Sequence, residues 1–454
     1  MKINKTFVLS SLCIAMFSSQ SALADTTQSE IDALKSRLAQ LEKQLKQKKK
    51  PAVKVKATGA GLRVSSSKSN PSFKINGRFH LDYNQFDGAY NAKNNGESAS
   101  DLFIRRARIG VSGNLNPDWG YKMVLAFGGG SRAGKNREDG RLQNAVLSYN
   151  GFKRNGGPQI QLGKLKEDVT LEAVTSSNHI TTISRSTIVN SVSPFFNWGV
   201  RVNQSFKSSG LRYALGVYQA ADGKSNGRKD GNGDNLWAAT GRANWAPFAS
   251  TGEVLHFGAW GSYRENGDNE LRNRARGEIR NTNIRLLDSN AGGKGVAVSK
   301  IKEYGIEFAG VKGPFSLQTE YIKRDAEVTV ADTSAPELSG YYVTGSYFLT
   351  GESRHYDATK GAFKQPKGVS GAWEVYARFS NADSTFANAA LANKVQGTEL
   401  NVLTLGVSYY VNPQLRFMLN YQDADVKGSN EAISKLVGDQ TSGNGFTARA
   451  HYMF

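Results

Sequence analysis

The chain has 454 residues, a formal net charge of +19 and a single cysteine, which excludes a fold held by disulfides. Its mean hydropathy is −0.47, and no segment after residue 24 has about twenty consecutive apolar residues, which excludes a transmembrane helix. A soluble exported protein and a β-barrel both remain compatible with these values, because a barrel places apolar residues at only every second position.

The N-terminus has the parts of a secretory signal peptide. Lys2 and Lys5 supply positive charge, an apolar stretch follows, and Ala22-Leu23-Ala24 has the small-x-small pattern of a cleavage site. We therefore predict that residues 1–24 are removed. Removal takes away the cysteine, at position 13, and lowers the net charge by two, to +17.

Residues 25–50 are predicted to form a helical coiled-coil segment on the periplasmic side of a membrane. Ile31, Leu34, Leu38, Leu41 and Leu45 recur at spacings of three and four, which is a heptad seam. A lone amphipathic helix is the alternative, but one of this length is barely stable in water. Self-association is favoured because it buries the seam. Residues 51–72 are predicted to be a basic linker.

From residue 73 the apolar period changes to two, which predicts β-strands with one polar face. The sixteen alternating segments are 73–84, 102–115, 121–127, 143–149, 159–163, 198–206, 211–219, 236–245, 254–264, 302–311, 315–323, 340–349, 373–380, 400–411, 415–421 and 446–454. Short turns alternate with long polar connections, as in outer-membrane barrels, with 350–372 as the exception. The predicted fold class is all-β: a sixteen-stranded antiparallel transmembrane β-barrel over 73–454, with the short N-terminal helix.

A soluble β-sandwich is the structural alternative, because its strands also alternate. It rarely needs sixteen strands, however, and has no reason to place aromatic residues at strand ends. Aromatic residues occur at such positions throughout this chain, namely at Trp198, Tyr213, Trp237, Trp245, Tyr263, Tyr304, Tyr347, Trp373 and Tyr409. Aromatic girdles belong at a membrane–water interface, so we favour the barrel in a bacterial outer membrane.

The polar face of the predicted strands carries an excess of cations. These are Lys74, Arg78, Arg106, Arg108, Lys122, Arg201, Arg212, Arg242, Arg264, Arg378, Arg416 and Arg449. Asp82 and Glu374 are the clear acidic residues on that face. A water-filled tube lined in this way attracts anions, because low-dielectric walls focus the electric field. Polar lining without selectivity is the alternative, and the excess of one sign argues against it.

Two long connections have unusual compositions. Residues 164–197 are rich in apolar side chains, so we expect this loop to fold into the barrel and narrow it. Residues 265–301 carry Arg272, Arg274, Arg276, Arg280 and Arg285. A spacing of two puts the first three on one side of an extended segment, and guanidiniums bind phosphate oxygens in a bidentate way. The alternative is a solvated basic loop that contacts lipopolysaccharide.

Five stretches together resemble the phosphate-selective porin O and P family. They are Phe103–Gly113, Leu171–Ser177, Arg272–Arg280, Leu349–Tyr356 and Gly371–Glu374. The resemblance extends from about residue 73 to residue 454. It implies a trimeric sixteen-stranded barrel with loops folded into the lumen. It also implies a ladder of arginines leading to a narrow central site, and a basic cluster on the periplasmic side.

The resemblance assigns candidate residues to each part of this anion pathway. The ladder matches Arg272, Arg274, Arg276 and Arg280, the central site matches Arg78, Arg105, Arg106 and Arg185, and the lower cluster matches Lys360, Lys364 and Lys367. Strand parity sends Arg105 outwards, so a bulge must reorient it if it belongs to the site. Asn178 stands where the family often has a basic residue, which weakens the case for strict phosphate selectivity.

The predicted function is therefore an outer-membrane channel for the diffusion of anions: phosphate, pyrophosphate or polyphosphate. A general porin with mild anion preference is the alternative, and a surface-binding protein anchored by its barrel is a third class. The expected partners are these anions, outer-membrane lipids, lipopolysaccharide and two further copies of the chain. We expect no nucleic-acid partner, cofactor, metal or enzymatic activity.

Two motifs resemble sites of other chemistry but lack residues that those sites require. Residues 129–136 resemble a phosphate-binding P-loop but lack the Ser or Thr that holds magnesium. Asp230, Asn232 and Asp234 resemble the start of a calcium loop, but Asn235 and Gly241 stand where that motif needs Gly and Glu.

Overall fold

Alternating apolar and polar residues form sixteen long antiparallel strands, which close into a barrel in the computed structural model of the chain. The structure describes residues 24–46, 53–58, 61–66, 71–128, 140–220, 236–290, 293–391 and 394–454. Most of the predicted signal peptide and the segments 129–136 and 230–234 lie outside these residues.

Each predicted strand segment corresponds to one observed strand, so the predicted fold class is confirmed. The strands, β1 to β16, are Ser72–Phe86, Ala99–Asn114, Trp119–Phe127, Arg141–Tyr149, Gln159–Lys166, Phe196–Phe206, Leu211–Gln219, Trp237–Ser250, Glu253–Glu265, Val296–Lys312, Phe315–Val328, Leu338–Phe348, Ala372–Asp383, Thr398–Tyr410, Leu415–Gly428 and Ser442–Met453. The barrel closes where β16 pairs with β1, from Gly445↔Phe86 to Met453↔Arg78.

The barrel is apolar outside and polar inside. Leu215 and Ile306 are 57% and 62% exposed on the outer face, whereas the neighbouring Ala214 and Glu307 are buried. Seven of the nine aromatic residues predicted at strand ends are exposed, and Tyr213 and Tyr409 are partly exposed. A membrane barrel needs an apolar outer face and a polar inner face, because its outward residues meet hydrocarbon and its inward residues meet water or polar loops.

The N-terminal part of the chain separates into a unit of its own. A helix, α1, spans Ala24–Lys46 in the unit that ends at Ala52. Ile31, Leu34, Leu38 and Leu41 of its seam are all exposed, by 44% to 66%. Among the described residues, no helix is both long enough and apolar enough to cross a membrane.

The interval 51–72 differs from the predicted linker, because it contains a β-hairpin of Val53–Thr58 and Gly61–Ser66. The second hairpin strand pairs with β1 from Leu62↔Ile75 to Ser65↔Ser72. This is the stretch of β1 that β16 leaves uncovered, so the hairpin continues the sheet beyond the end of β16.

Three connections fold into the lumen. We call residues 167–195 the inner loop, 266–295 the arginine loop and 349–371 the periplasmic insertion. The inner loop contains helices α2 (Leu171–Val174) and α3 (Thr187–Val192). The arginine loop has short strands at Glu270–Leu271, Arg274–Ala275 and Leu287–Asp288, and the insertion has strands at His355–Asp357 and Ala362–Lys364.

The other connections lie at the rims of the barrel. They contain 3-10 helices at Gly88–Asn94, Gly151–Asn155 and Ala389–Leu391, short strands at Phe386–Asn388 and Lys394–Gln396, and helix α4 at Asn430–Leu436.

The main apolar cluster lies inside the barrel. Ile188 and Val189 of the inner loop pack with Ile279 and Leu286 of the arginine loop, all of them fully or almost fully buried. The prediction that the 164–197 loop folds into the lumen is therefore confirmed. Burial of these side chains fixes both loops against the barrel wall.

Candidate functional site

A continuous cavity of about 2320 Å³ extends inside the barrel from the arginine loop to the periplasmic insertion. Ten of the eleven predicted site residues line it: Arg78, Arg105, Arg106, Arg185, Arg272, Arg274, Arg276, Arg280, Lys360 and Lys364. Lys367 is exposed and is not part of the lining. The structure therefore brings the three predicted groups of cations to one continuous space.

A β-bulge turns Arg105 into the lumen. The pairing of β1 with β2 slips after His80, which lies opposite Arg106, while Leu81 lies opposite Ile104. Arg105 is the extra residue between these two pairs, and it lines the cavity next to Arg106. The bulge that strand parity required is present, so two consecutive guanidiniums face the lumen.

Arg78 connects the wall of the barrel to the inner loop. One terminal nitrogen, Nη1, donates to the hydroxyls of Ser176, at 3.3 Å, and Ser177, at 2.8 Å. Arg108 lies directly opposite Arg78 in the cross-strand register. Among the described residues, none forms an ion pair with Arg78, Arg105, Arg106 or Arg108, so their positive charges are not compensated by carboxylates.

Most other arginines on the lumen face are neutralised. Arg212 and Arg242 bind Asp168, with shortest contacts of 2.6 and 3.1 Å, and Arg201 contacts the same carboxylate at 3.2 Å. Further pairs are Arg242 with Glu307, Arg264 with Glu167 and Glu303, Arg324 with Glu303, Arg378 with Glu172 and Glu278, and Arg449 with Asp82. Four of these acids, Glu167, Asp168, Glu172 and Glu278, come from the two loops, which strand parity does not reveal.

The inner loop is anchored through buried carboxylates. The amides of Leu171 and Glu172 donate to the carboxylate of Glu320 on β11, both at 2.8 Å. The side chain of Glu172 accepts from the amide of Ser186 at 2.9 Å. Burial raises the pKa of Glu172, and the opposing effects of Arg378 and the Ser186 amide only reduce that rise. The inner loop is therefore held by Glu320 of the barrel wall and by the contact of its own Glu172 with Ser186.

Arg185, predicted to belong to the central site, directs most of its donors into the inner loop. Nε donates to the carbonyl of Glu172 at 2.9 Å, and Nη2 donates to the carbonyl of Thr175 at 2.8 Å. Its guanidinium also lies 5.3 Å from the ring centre of Phe195. Arg185 thus adds charge beside the cavity while it holds the loop together.

The arginine loop presents its cations as the spacing predicted. Arg272, Arg274 and Arg276 retain exposure, while Asn273 and Ala275 between them are buried. Arg272 and Arg274 share the carboxylate of Asp288, at 2.6 and 3.0 Å. The outer end of the predicted ladder is therefore partly neutralised.

Arg280 lies deeper along the same loop, near other cations. Burial and repulsion from Arg276, Arg285 and Arg185 lower the pKa of Arg280 to about 10. Like charges held this close are an unfavourable arrangement that a bound anion relieves.

The periplasmic insertion supports the inner loop from below. Tyr356 and Phe363 are buried and pack in one cluster with Leu171 of α2. Asp357 contacts Lys364 at 2.5 Å and Lys360 at 3.7 Å. Burial of Asp357 raises its pKa, but Lys364, Thr359 and Lys360 outweigh this effect and lower it overall.

Sequence reasoning missed several cations that line the cavity, and Lys166 is one of them. Lys166 ends β5, and its Nζ donates to the carbonyl of Ala173. It was missed because the predicted strand stopped at residue 163. Arg108 and Lys122 had the correct parity, but the resemblance did not assign them to the anion pathway. Asn178 also lines the cavity, on the inner loop.

The described residues contain no cluster of three or more His, Cys, Asp and Glu side chains placed to hold a metal. The fold and the cation-lined cavity define the chain as a porin. Residues 73–454 match the family model described as phosphate-selective porin O and P. The chain belongs to this family and is an outer-membrane channel protein of bacteria.

Known proteins support this assignment. The chain is 30% identical to porin O of Pseudomonas aeruginosa over 420 residues, which covers 87% of this chain and 92% of the relative. The structure of OprB from Pseudomonas putida has a TM-score of 0.54 at 12% identity, over 84% of this chain and 94% of that one. An anion-selective porin from Comamonas acidovorans has a TM-score of 0.51 at 12% identity, over 85% and 100%. These two structures share the fold.

Proposed function

We propose that the channel selects anions and that its preferred cargo is phosphate, pyrophosphate or a short polyphosphate. The observation that carries the proposal is the cluster of Arg78, Arg105, Arg106 and Arg108, which lines the cavity without an ion-paired carboxylate among the described residues. Neighbouring arginines are neutralised by loop carboxylates, so the uncompensated charge is localised rather than spread around the wall. The description of the family as phosphate-selective supports the same cargo.

The arrangement suits a transported ion better than a permanently bound one. A charge-assisted hydrogen bond contributes about 1.5–3 kcal/mol, so a few contacts attract phosphate without trapping it. Conduction requires several moderate sites in succession, because one tight site releases its ion slowly. Arg276 and Arg280 above the cluster, and Lys122 and Lys360 below it, provide such a succession along the cavity.

Phosphate inhibition of chloride current tests the proposal. Wild-type channels in planar bilayers should show anion-selective reversal potentials in a salt gradient, and added phosphate should reduce the chloride current. A cation-selective channel would contradict the anion pathway. If the channel is anion-selective but phosphate does not inhibit its chloride current, the alternative function, a general porin with mild anion preference, would be supported instead.

Variants at Arg106 separate phosphate recognition from general attraction. Arg106→Gln should weaken phosphate inhibition by about tenfold, which corresponds to about 1.4 kcal/mol, at both low and high salt. Arg106→Lys should retain anion selectivity but weaken inhibition, because an ammonium cannot bind in a bidentate way. Arg274→Ala, at the outer mouth, should reduce the current mainly at low salt, where steering is not screened.

Arg201→Gln is the matched control. It removes one cation from the cavity lining, but Asp168 keeps Arg212 and Arg242, so no buried carboxylate is left unpaired. Phosphate inhibition should remain at the wild-type value. An equal loss at Arg201 and Arg106 would mean that total charge, rather than the cluster, determines the inhibition.

The remaining partners follow from the outer surface and the family. The exposed apolar band and its aromatic residues suit contact with outer-membrane lipids and lipopolysaccharide. A homotrimer is proposed because the resemblance to the family implies it and because Ile31, Leu34, Leu38 and Leu41 of the α1 seam are exposed.

A further inference from the structure

Three neighbouring strands place a row of basic side chains across the wall of the barrel beside the uncompensated arginines. His451 on β16 lies opposite His80 on β1, and His80 lies opposite Arg106 on β2. The ring centres of the two histidines are 4.2 Å apart in an edge-on arrangement. His80 is fully buried, and Arg106 is 7% exposed. The row coincides with the bulge that also brings Arg105 into the lumen.

His80 makes the one hydrogen bond found for the Arg106 side chain among the described residues. Nη1 of Arg106 is 3.3 Å from Nδ1 of His80. A guanidinium has five donors and no acceptor, so Nδ1 must accept and the imidazole must be neutral, with its proton on Nε2. The contact therefore orients Arg106 without cancelling its charge.

Several other buried arginines of the lumen are oriented by carboxylates instead. Arg242 binds Glu307 through Nε and Nη2, both at 2.8 Å, and Arg449 binds Asp82 through Nε and Nη2, both at 2.6 Å. A carboxylate fixes a guanidinium firmly but also neutralises it. A neutral acceptor gives a weaker contact and keeps the charge available to a passing anion.

We propose that His80 is a positioning residue of the anion site: its neutral imidazole holds Arg106 in place while leaving the positive charge uncompensated. The inference rests on the proposed anion-channel function and adds the means by which that site keeps its charge in a lumen rich in carboxylates. The flat ring also packs against His451, which limits the orientations that His80 can adopt.

Two isosteric substitutions test the proposal. Asn at position 80 can place an amide oxygen near the position of Nδ1, whereas Asp places a carboxylate there. Phosphate should inhibit chloride current through the His80→Asn channel about as strongly as through the wild-type channel. His80→Asp should weaken phosphate inhibition by about tenfold or more, because Arg106 becomes ion-paired. His80→Leu, which removes the acceptor, should also weaken inhibition.

The controls separate charge from folding. His451→Phe keeps a ring against His80 and should leave phosphate inhibition unchanged, since neither nitrogen of His451 has a hydrogen-bond partner among the described residues. Far-ultraviolet circular dichroism and heat-dependent gel mobility check that each barrel is folded. If His80→Leu does not fold, the Asn and Asp variants, which differ only in charge, still decide the question.

Each result has a distinct meaning. Equal phosphate inhibition in the Asn and Asp variants would overturn the proposal, because the charge state of the acceptor would then be irrelevant. An Asn variant that loses as much inhibition as the Leu variant would also overturn it, because ring packing alone would explain both losses. Wild-type current that phosphate does not inhibit would instead refute the underlying phosphate-channel function.

Discussion

At the scale of single residues, the position of each carboxylate decides whether a lumen arginine is available to an anion. Asp168 contacts three guanidiniums, those of Arg201, Arg212 and Arg242. Burial alone would raise the pKa of Asp168, but Arg212, Arg201 and Arg242 outweigh burial and hold it well below its usual range. The inner loop thus brings its own acids to neutralise one wall and leaves the opposite wall charged.

Replacing Asp168 should show how much this carboxylate contributes to stability and how far it reduces anion selectivity. Asp168→Asn removes the carboxylate that the buried Arg212 and Arg242 share with the partly exposed Arg201. Arg242 keeps Glu307, but Arg212 loses its ion pair, and breaking a buried pair costs about 3–5 kcal/mol. The thermal unfolding temperature in detergent should fall at pH 7. Anion selectivity should rise, because Arg201 lines the cavity. The measurements are tryptophan fluorescence during heating and reversal potential.

The pH dependence of this effect has a definite sign. A carboxylate whose pKa is depressed by folding contributes its full stabilisation when the pH is above its pKa in the unfolded chain, about 3.9. The contribution is lost as the pH falls through the lower pKa of the folded state. The difference between wild type and variant should therefore shrink below about pH 4. Asp425→Asn, in an exposed pair with Lys427, is the control and should have little effect at any pH.

At the scale of elements, the inner loop lines the cavity, and we propose that it sets the width of the channel. Its ends carry non-glycine residues in the left-handed region, Thr170 with φ 55° and Phe195 with φ 60°. Such backbone costs about 1–3 kcal/mol per residue and persists only where surrounding contacts impose it. Arg416 and Arg449 supply part of that constraint by donating to the carbonyls of Ile180 and Ile183.

Removing this loop should widen the channel. Replacing residues 171–192 by a short Gly/Ser linker should raise single-channel conductance in concentrated salt, where surface charge is screened and the cross-section dominates. Removing residues 330–334 from a connection outside the cavity lining is the control and should leave conductance unchanged. If the inner-loop deletion variant has the same conductance as the wild type, the narrowest point of the channel must lie outside this loop.

The sixteen strands were predictable because alternation is a local signal. The predicted ends were less accurate: β15 was predicted over 415–421 but continues to Gly428. Strand pairing extends past the membrane, where outward residues no longer need to be apolar. The hairpin at 53–66 was predictable in principle, since Val53 and Val55 alternate with Lys54 and Lys56, but the basic composition suggested a linker instead.

The division of lumen arginines into neutralised and available groups was not predictable. Glu172 and Arg378 form a pair across 206 residues of sequence. Such pairs depend on where two loops fold, and no local spacing encodes that. The motifs predicted the cations of the cavity, whereas their acidic partners required the structure.

At the scale of the whole molecule, the α1 seam bears on how copies of the chain assemble. Ile31, Leu34, Leu38 and Leu41 are exposed, and an isolated helix of this length is only marginally stable in water. We propose that three copies of α1 associate and reinforce a trimer. Two heptads contribute little on their own, so contacts between barrels should provide most of the stability of the assembly.

Deleting residues 25–50 should therefore leave a trimer that dissociates at a lower temperature. Leu38→Asp should reproduce this change, because a buried carboxylate in the seam is costly. Ala39→Asp lies off the seam and introduces the same charge, so it should dissociate like the wild type. Light scattering after chromatography gives the mass, and unboiled gels at rising temperature give the dissociation point. Wild-type protein that is monomeric in mild detergent would refute the trimer, whereas an unchanged dissociation temperature in both seam variants would refute the role of α1 alone.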